Sequence, residues 1–157
     1  SVQVSDLRAD PLLMWQRKYY ALLTVFLAFI APTALPWLAW NETLVNSFLV
    51  AFVLRLVYSY HVTFLVNSAA HIWGSRPYDK TINPAENKLV SILSVGEGWH
   101  NYHHVFPFDY KAGEFGPGPL NLTTALIDVF AKIGWAYDLK TVPSKIVKRR
   151  KCRTGQN

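Results

Sequence analysis

The sequence predicts an all-α membrane protein: a transmembrane helical hairpin followed by a cytoplasmic helical metal-binding region. Three observations predict this. Two runs of more than twenty residues are nearly free of charge. A three-residue connection joins them, and three histidines stand at i, i+3 and i+4 in the polar half that follows.

The first run, 19–40 (YYALLTVFLAFIAPTALPWLAW), carries no charge. About 20 apolar residues cross the hydrocarbon layer as a helix. Pro32 and Pro36 would break a soluble helix but are tolerated in membrane spans. Trp37 and Trp40 stand where interfacial aromatics belong. The second run, 44–66 (LVNSFLVAFVLRLVYSYHVTFLV), contains Arg55 and His61. An ionisable group inside a span is costly and normally faces protein or water. Arg55 is therefore expected to snorkel or to pair with a polar group inside the helix bundle.

Residues 41–43 form the connection, which is too short for anything but a tight hairpin. Lysine and arginine number three before the hairpin, none in the connection, one in the second run and twelve after it. Positive charge stays cytoplasmic, so residues 1–18 and 67–157 are expected in the cytoplasm and 41–43 in the lumen. The Asn41-Glu42-Thr43 sequon is expected to stay unmodified, held against the membrane. A soluble domain with a buried hairpin is the competing reading, disfavoured by the length of both runs.

Composition agrees. Half the residues are hydrophobic and only 17% are charged, against about a quarter in soluble domains. The single Cys152 excludes an internal disulfide framework and suits a reducing compartment. Residues 1–10 are polar and lack the apolar core of a signal peptide. The chain opens on Ser1 without an initiator methionine, as a fragment would. The basic tail, 145–157, holds six of the sixteen cations between Lys145 and Arg153. No base-stacking or groove-reading motif accompanies it, so nucleic acid is not an expected partner. It reads as a solvated tail drawn to anionic membrane lipid.

Within the histidine region, 67–144, Asn83 and Pro84 read as the cap and first turn of a helix running to Val95, with Leu89, Ile92 and Leu93 on one face. Residues 113–119 read as loop. Helical periodicity returns over 120–137, with Leu122, Leu126, Val129, Phe130 and Ile133 on one stripe, suited either to a core or to a bilayer surface.

Of five histidines, three fall in His100, His103 and His104. On a helix these share one face, and neutral imidazole is the commonest metal-ligating side chain. Asn67 and His71 stand one turn apart at the end of the second run, where an amide and an imidazole can address one centre. His61 lies within the span and is left out of the site. Glu97 and Asp109 lack ligand spacing. Glu-x-x-His pairs of carboxylate-bridged di-iron bundles are absent, as is the HExxH zinc-protease signature. A bis-histidine haem would need a second histidine at the depth of His61.

The strings VNSAAH at 66–71, RPYD at 76–79 and GEGWHNYHHVFP at 96–107 closely resemble the acyl-CoA fatty-acid desaturases of animals. The likeness continues through NLTT at 121–124 and GWAYD at 134–138, includes DLRADP at 6–11, and has an insect flavour at 132–142. The resemblance implies the C-terminal half of a four-span endoplasmic-reticulum enzyme with a cytoplasmic di-iron domain. Such an enzyme removes hydrogens from adjacent carbons of a fatty acyl-CoA, using O2 and electrons from cytochrome b5. By residue match, His100, His103 and His104 form the third histidine box, His71 is a further iron ligand, and Asn67 reaches iron through a water. Thr63 and Phe64 match positions lining the acyl tunnel, where the family usually has tryptophan at the place of Phe64. The GPGP run at 116–119 departs from a more aromatic segment. Two further histidine boxes, five ligands in all, would lie upstream of Asp6. The polypeptide alone is therefore expected neither to bind two irons nor to desaturate. A related di-iron hydroxylase or conjugase and a non-catalytic truncated paralogue are the alternative readings.

Overall fold

A computed structural model of the chain describes residues 3–114 and 121–156. The GPGP run and Leu120 lie outside the described residues. The chain divides into two compact units, Ser1–Ser59 and Tyr60–Asn157.

The first unit is the hairpin. Two short helices, α1 (Ser5–Ala9) and α2 (Pro11–Lys18), lead in. Asp10 caps α2, its Oδ1 accepting from the N–H groups of Leu12 and Leu13 at 2.8 and 3.2 Å, while Pro11 takes the first turn, where no N–H is needed. Helix α3 (Tyr20–Ala39) follows, and α4 (Leu44–Ile72) returns. Helix α4 continues to Ile72, six residues beyond the expected end at 66 and past a turn at Ser68. Almost none of the most apolar stretch of either helix is buried, 6% in each case. Core helices of a soluble protein bury their apolar face, whereas these leave nearly all of theirs exposed apart from the seam between them, as membrane spans do.

The connection uses the chemistry of its three residues. Asn41 takes a left-handed conformation (φ 56°), which asparagine tolerates better than most residues. The Thr43 hydroxyl caps α4 by accepting from Asn46 N–H at 3.1 Å. Rings of Phe29 and Phe52 close the hairpin at 4.7 Å.

Pro32 explains what Arg55 does. A helical carbonyl at Ala28 would receive the N–H of residue 32, and proline has none. The backbone of 25–30 is π-helical, with Ala31 N–H returning five residues to Phe26. The Arg55 guanidinium donates to the Ala28 carbonyl at 2.6 Å and to Ala51 at 3.2 Å. The expected pairing of Arg55 inside the bundle is thus met by a backbone oxygen that the proline leaves open.

The second unit holds the histidines. Helices α5 (Lys88–Leu93) and α6 (His100–Val105) lie close because Gly98 permits it: a Cβ there would stand 2.2 Å from Ser91 N and 2.3 Å from Asn87 O. Helix α5 differs from expectation. Its cap is Asn87, accepting from Val90 N–H at 3.0 Å, and not Asn83. Pro84 and Ala85 are instead buried in extended backbone, where Ala85 N–H donates to the Ala70 carbonyl at 2.7 Å and Glu86 bridges to Ser75 and Trp99. The buried face of α5 is Val90 and Ser91, whereas Leu89 and Ile92 are exposed.

Helix α7 (Leu122–Lys132) is shorter than 120–137. Asn121 caps it, accepting from Thr124 N–H at 3.0 Å. Gly134 ends it with φ 78°, donating to the Ala131 carbonyl, while Trp135 N–H donates to Phe130 at 2.8 Å and its ring packs on Phe130. This is a Schellman ending with its hydrophobic contact.

The basic tail is corrected. It is not a solvated tail but a docked helix, α8 (Ser144–Thr154). Val147 is buried in a core with Tyr78, Tyr102 and Phe106. Arg150 pairs with Asp79, Lys151 with Glu114 at 2.5 Å, and Thr154 donates to the Tyr78 carbonyl at 2.7 Å. Half-buried ion pairs and a side-chain hydrogen bond hold one face, leaving Lys145, Lys148, Arg149 and Arg153 outward.

Candidate metal centre

Helix α6 exists to place imidazoles. His100 and His104 are one turn apart, and their Nε2 atoms stand 3.1 Å apart. His71, from the last turn of α4, brings its own Nε2 to 2.8 Å from that of His100. The three side chains can offer nitrogens that all lie within 4.8 Å of one another, so this group can hold one metal ion. Two nitrogens bound side by side to one ion, each at about 2.1 Å, stand ~3.0 Å apart at right angles. Both observed contacts match that separation.

The charge state suits ligation. Burial pushes His100 down to about 4, helped by His104, His71 and His103. Burial likewise lowers His104, followed by the effects of His103 and His71. Each is therefore neutral near pH 7 and keeps a lone pair for a cation.

His103 lies beside the group but not within it. Its ring centre is 5.7 Å from that of His104 and 6.1 Å from that of His100. Its Nδ1 is buried without a hydrogen-bond partner among the described residues. A buried polar atom left open costs free energy unless a ligand completes it. The donor set and this open nitrogen both fit a metal.

Asn67 turns its amide back along its own helix, donating to the Thr63 carbonyl at 2.9 Å. Phe64 is exposed and stacks on Tyr60 at 6.1 Å. Asp109 is structural: its carboxylate accepts from Tyr102 Oη at 2.8 Å, Val142 N–H at 2.9 Å and Lys111 N–H at 3.0 Å.

Two neighbours of the site escape sequence reasoning. Asn101, inside the HxxHH string, is fully buried and uses all four of its hydrogen-bonding capacities. Its Oδ1 accepts from Tyr78 and Asp79 N–H at 2.9 and 3.2 Å, and its Nδ2 donates to the Asp79 and Pro84 carbonyls at 3.0 and 2.9 Å. It ties α6 to the 78–84 segment. Glu86 accepts from Tyr102 N–H at 2.8 Å, and burial pushes its carboxyl up to about 7. Neither has a local signal; an asparagine between two histidines and a glutamate after a proline look alike in any surface loop.

The chain combines two helices long and apolar enough to cross a membrane with three convergent imidazoles that can hold one metal ion. The chain belongs to the fatty acid desaturase family, whose profile, described as "Fatty acid desaturase", matches residues 2–111. It is 55% identical over 154 residues to the "Acyl-CoA Delta-9 desaturase" of Acheta domesticus, covering 98% of this chain and 43% of the relative. It is 52% identical to the "Acyl-CoA Delta(11) desaturase" of Spodoptera littoralis, covering 98% of this chain and 45% of the relative. Against "Stearoyl-CoA desaturase 5" of Homo sapiens the identity is 48%, covering 99% and 47%. The chain thus spans less than half the length of these curated relatives.

Proposed function

We propose that this chain is the C-terminal portion of an acyl-CoA desaturase, which introduces a double bond into a fatty acyl-CoA. The convergence of His71, His100 and His104 carries the reading, because their ring nitrogens lie within 4.8 Å of one another and can hold a metal ion in a chain of the desaturase family. The relatives, acyl-CoA and stearoyl-CoA desaturases, supply the substrate class. His71, His100 and His104 hold the metal, His103 completes the set through its open nitrogen, and Asn67 contributes through a water. When bound, a di-iron centre supplies the oxidising power needed to cleave an unactivated C–H bond. These 157 residues supply part of that centre.

The chain's own residues then have distinct tasks. Burial keeps His100 and His104 unprotonated, so that they offer lone pairs rather than charge. Asn101 holds α6 in place, as groups behind metal ligands commonly do. Thr63 and Phe64, on the last turns of α4, line the acyl tunnel, and Phe64 tunes its length. O2 is the co-substrate and cytochrome b5 the electron donor. The protein resides in the endoplasmic-reticulum membrane with both ends of this segment in the cytoplasm.

The test is expression of the full open reading frame containing this segment in a desaturase-deficient yeast, with fatty-acid esters analysed by gas chromatography and mass spectrometry. The expected result is a new monounsaturated acid that disappears in His100→Ala at equal protein level. A hydroxylated product, or none from the unaltered protein, would overturn the assignment.

A further inference from the structure

Helix α7 wears its amphipathicity inside out. At 3.6 residues per turn, Leu122, Leu126, Val129, Phe130 and Ile133 fall on an arc of about 100°. All five are exposed. The opposite side carries Thr124, Ile127, Asp128 and Ala131, and these turn inward. Thr124 is buried and its hydroxyl donates to the Lys111 carbonyl at 3.1 Å. Asp128 accepts from Tyr110 Oη at 2.8 Å, and the Asn121 cap donates to Lys111 at 2.8 Å. The polar side is therefore fastened to the histidine unit, and among the described residues the Trp135 ring on Phe130 is the only ring contact on the apolar side.

The turn after the helix extends the surface. Trp135 and Tyr137 are among the most exposed aromatics of the protein, at 75% and 79%. Lys132 and Lys140 flank them and are exposed. Tryptophan, tyrosine and lysine gathered at the end of an apolar face are the composition of a membrane–water boundary, where ring and stem lie in the apolar layer and the polar tip reaches water. A contiguous apolar face of this kind is rare on a protein surrounded by water.

We propose that the outward face of α7, together with Trp135 and Tyr137, lies in the interfacial layer of a lipid bilayer and anchors the histidine unit there. Lipid is favoured over a protein partner because this unit includes the last turns of the membrane-length helix α4, from Tyr60 to Ile72. A unit tethered this way already meets a bilayer, and lipid needs no matching surface. The anchor limits how far the unit can tilt from the membrane in which an apolar substrate tail dissolves. The inference rests on α3 and α4 being membrane spans, and the experiment separates the two claims.

Nitroxide labels are placed singly at Leu126, Val129 and Ile133 in the full-length protein, with Cys152 and other cysteines replaced by serine. The protein is reconstituted in phosphatidylcholine–phosphatidylserine nanodiscs. Collisions with O2, which concentrates in lipid, are compared with collisions with a water-soluble nickel chelate. Leu49 in α4 serves as the lipid reference and Lys145 in α8 as the water reference. The expected result is an O2-to-nickel ratio at all three sites several-fold above Lys145 and close to Leu49. Nickel accessibility like that of Lys145 would overturn the proposal, since the face is then in water. Low accessibility to both reagents with an immobilised spectrum would also overturn it, since another segment or a second copy then covers the face. Nickel accessibility at Leu49 itself would overturn the span assignment along with the anchor.

Discussion

Replacing Asn101 with alanine tests whether one buried amide holds the histidine helix. The side chain is fully enclosed and makes four hydrogen bonds, two to N–H groups and two to carbonyls of the 78–84 segment. Alanine strands all four backbone partners where water cannot reach them. At about 1 kcal/mol for each bond the loss is ~4 kcal/mol. For a protein of the relatives' length, more than twice that of this chain, the loss corresponds to a fall of about 5 °C in melting temperature. Asn101→Asp is expected to do no better: it keeps the acceptor for Tyr78 and Asp79 but sets an oxygen against the carbonyls of Asp79 and Pro84. The assay is survival of the monodisperse peak of the detergent-purified, full-length protein after heating, with iron content read alongside. A fall of less than about 1.5 °C in both variants, equivalent to ~1 kcal/mol, would mean that Asn101 does not hold α6.

Glu86→Gln is expected to stabilise the protein at pH 8 by up to about 3 kcal/mol. The carboxyl is raised from 4.5 to about 7. Between those values the folded state keeps a proton that the unfolded chain has released, so stability falls as pH rises through the window. Glutamine still accepts from Tyr102 N–H and removes the fall; melting curves of both proteins at pH 4.5 and 8 check it, and an equal gain at both pH values counts against it. Gly98→Ala is expected to abolish folding, because its Cβ meets backbone at 2.2 and 2.3 Å; normal yield of monodisperse protein would contradict the close approach. Arg55→Leu is expected to cost about 1 kcal/mol by stranding the Ala28 carbonyl in the apolar layer. The cost should shrink in a Pro32→Ala background, where residue 32 regains its N–H, and an unchanged cost in that double-mutant cycle would break the link between the two residues.

The spans were legible because length and lack of charge decide them without reference to the rest of the chain. The histidine helix was legible for a related reason: i, i+3 and i+4 share a face in any helix. What escaped depends on long-range partners. Asn83 and Asn87 carry the same capping chemistry, and the choice between them is made by Ala85 and Glu86, whose backbone pairs with Ala70, Ser75 and Trp99. Six cations near the C-terminus look solvated until Asp79 and Glu114 arrive from distant turns to claim Arg150 and Lys151. His103 matched its neighbours in spacing, yet its ring stands outside the group formed by His71, His100 and His104. The apolar stripe of α7 was visible in the sequence; only its exposure in the fold points to lipid.

Iron content shows whether these histidines hold the metal. The full-length protein is purified in detergent, and iron per polypeptide is measured for the unaltered chain, His100→Ala and His104→Ala, each confirmed as monodisperse. Stoichiometric iron is expected in the unaltered protein and a clear loss in both variants, with His100→Ala the more severe because its nitrogen contacts both partners. Unchanged iron in the two variants would mean that these imidazoles do not hold the metal.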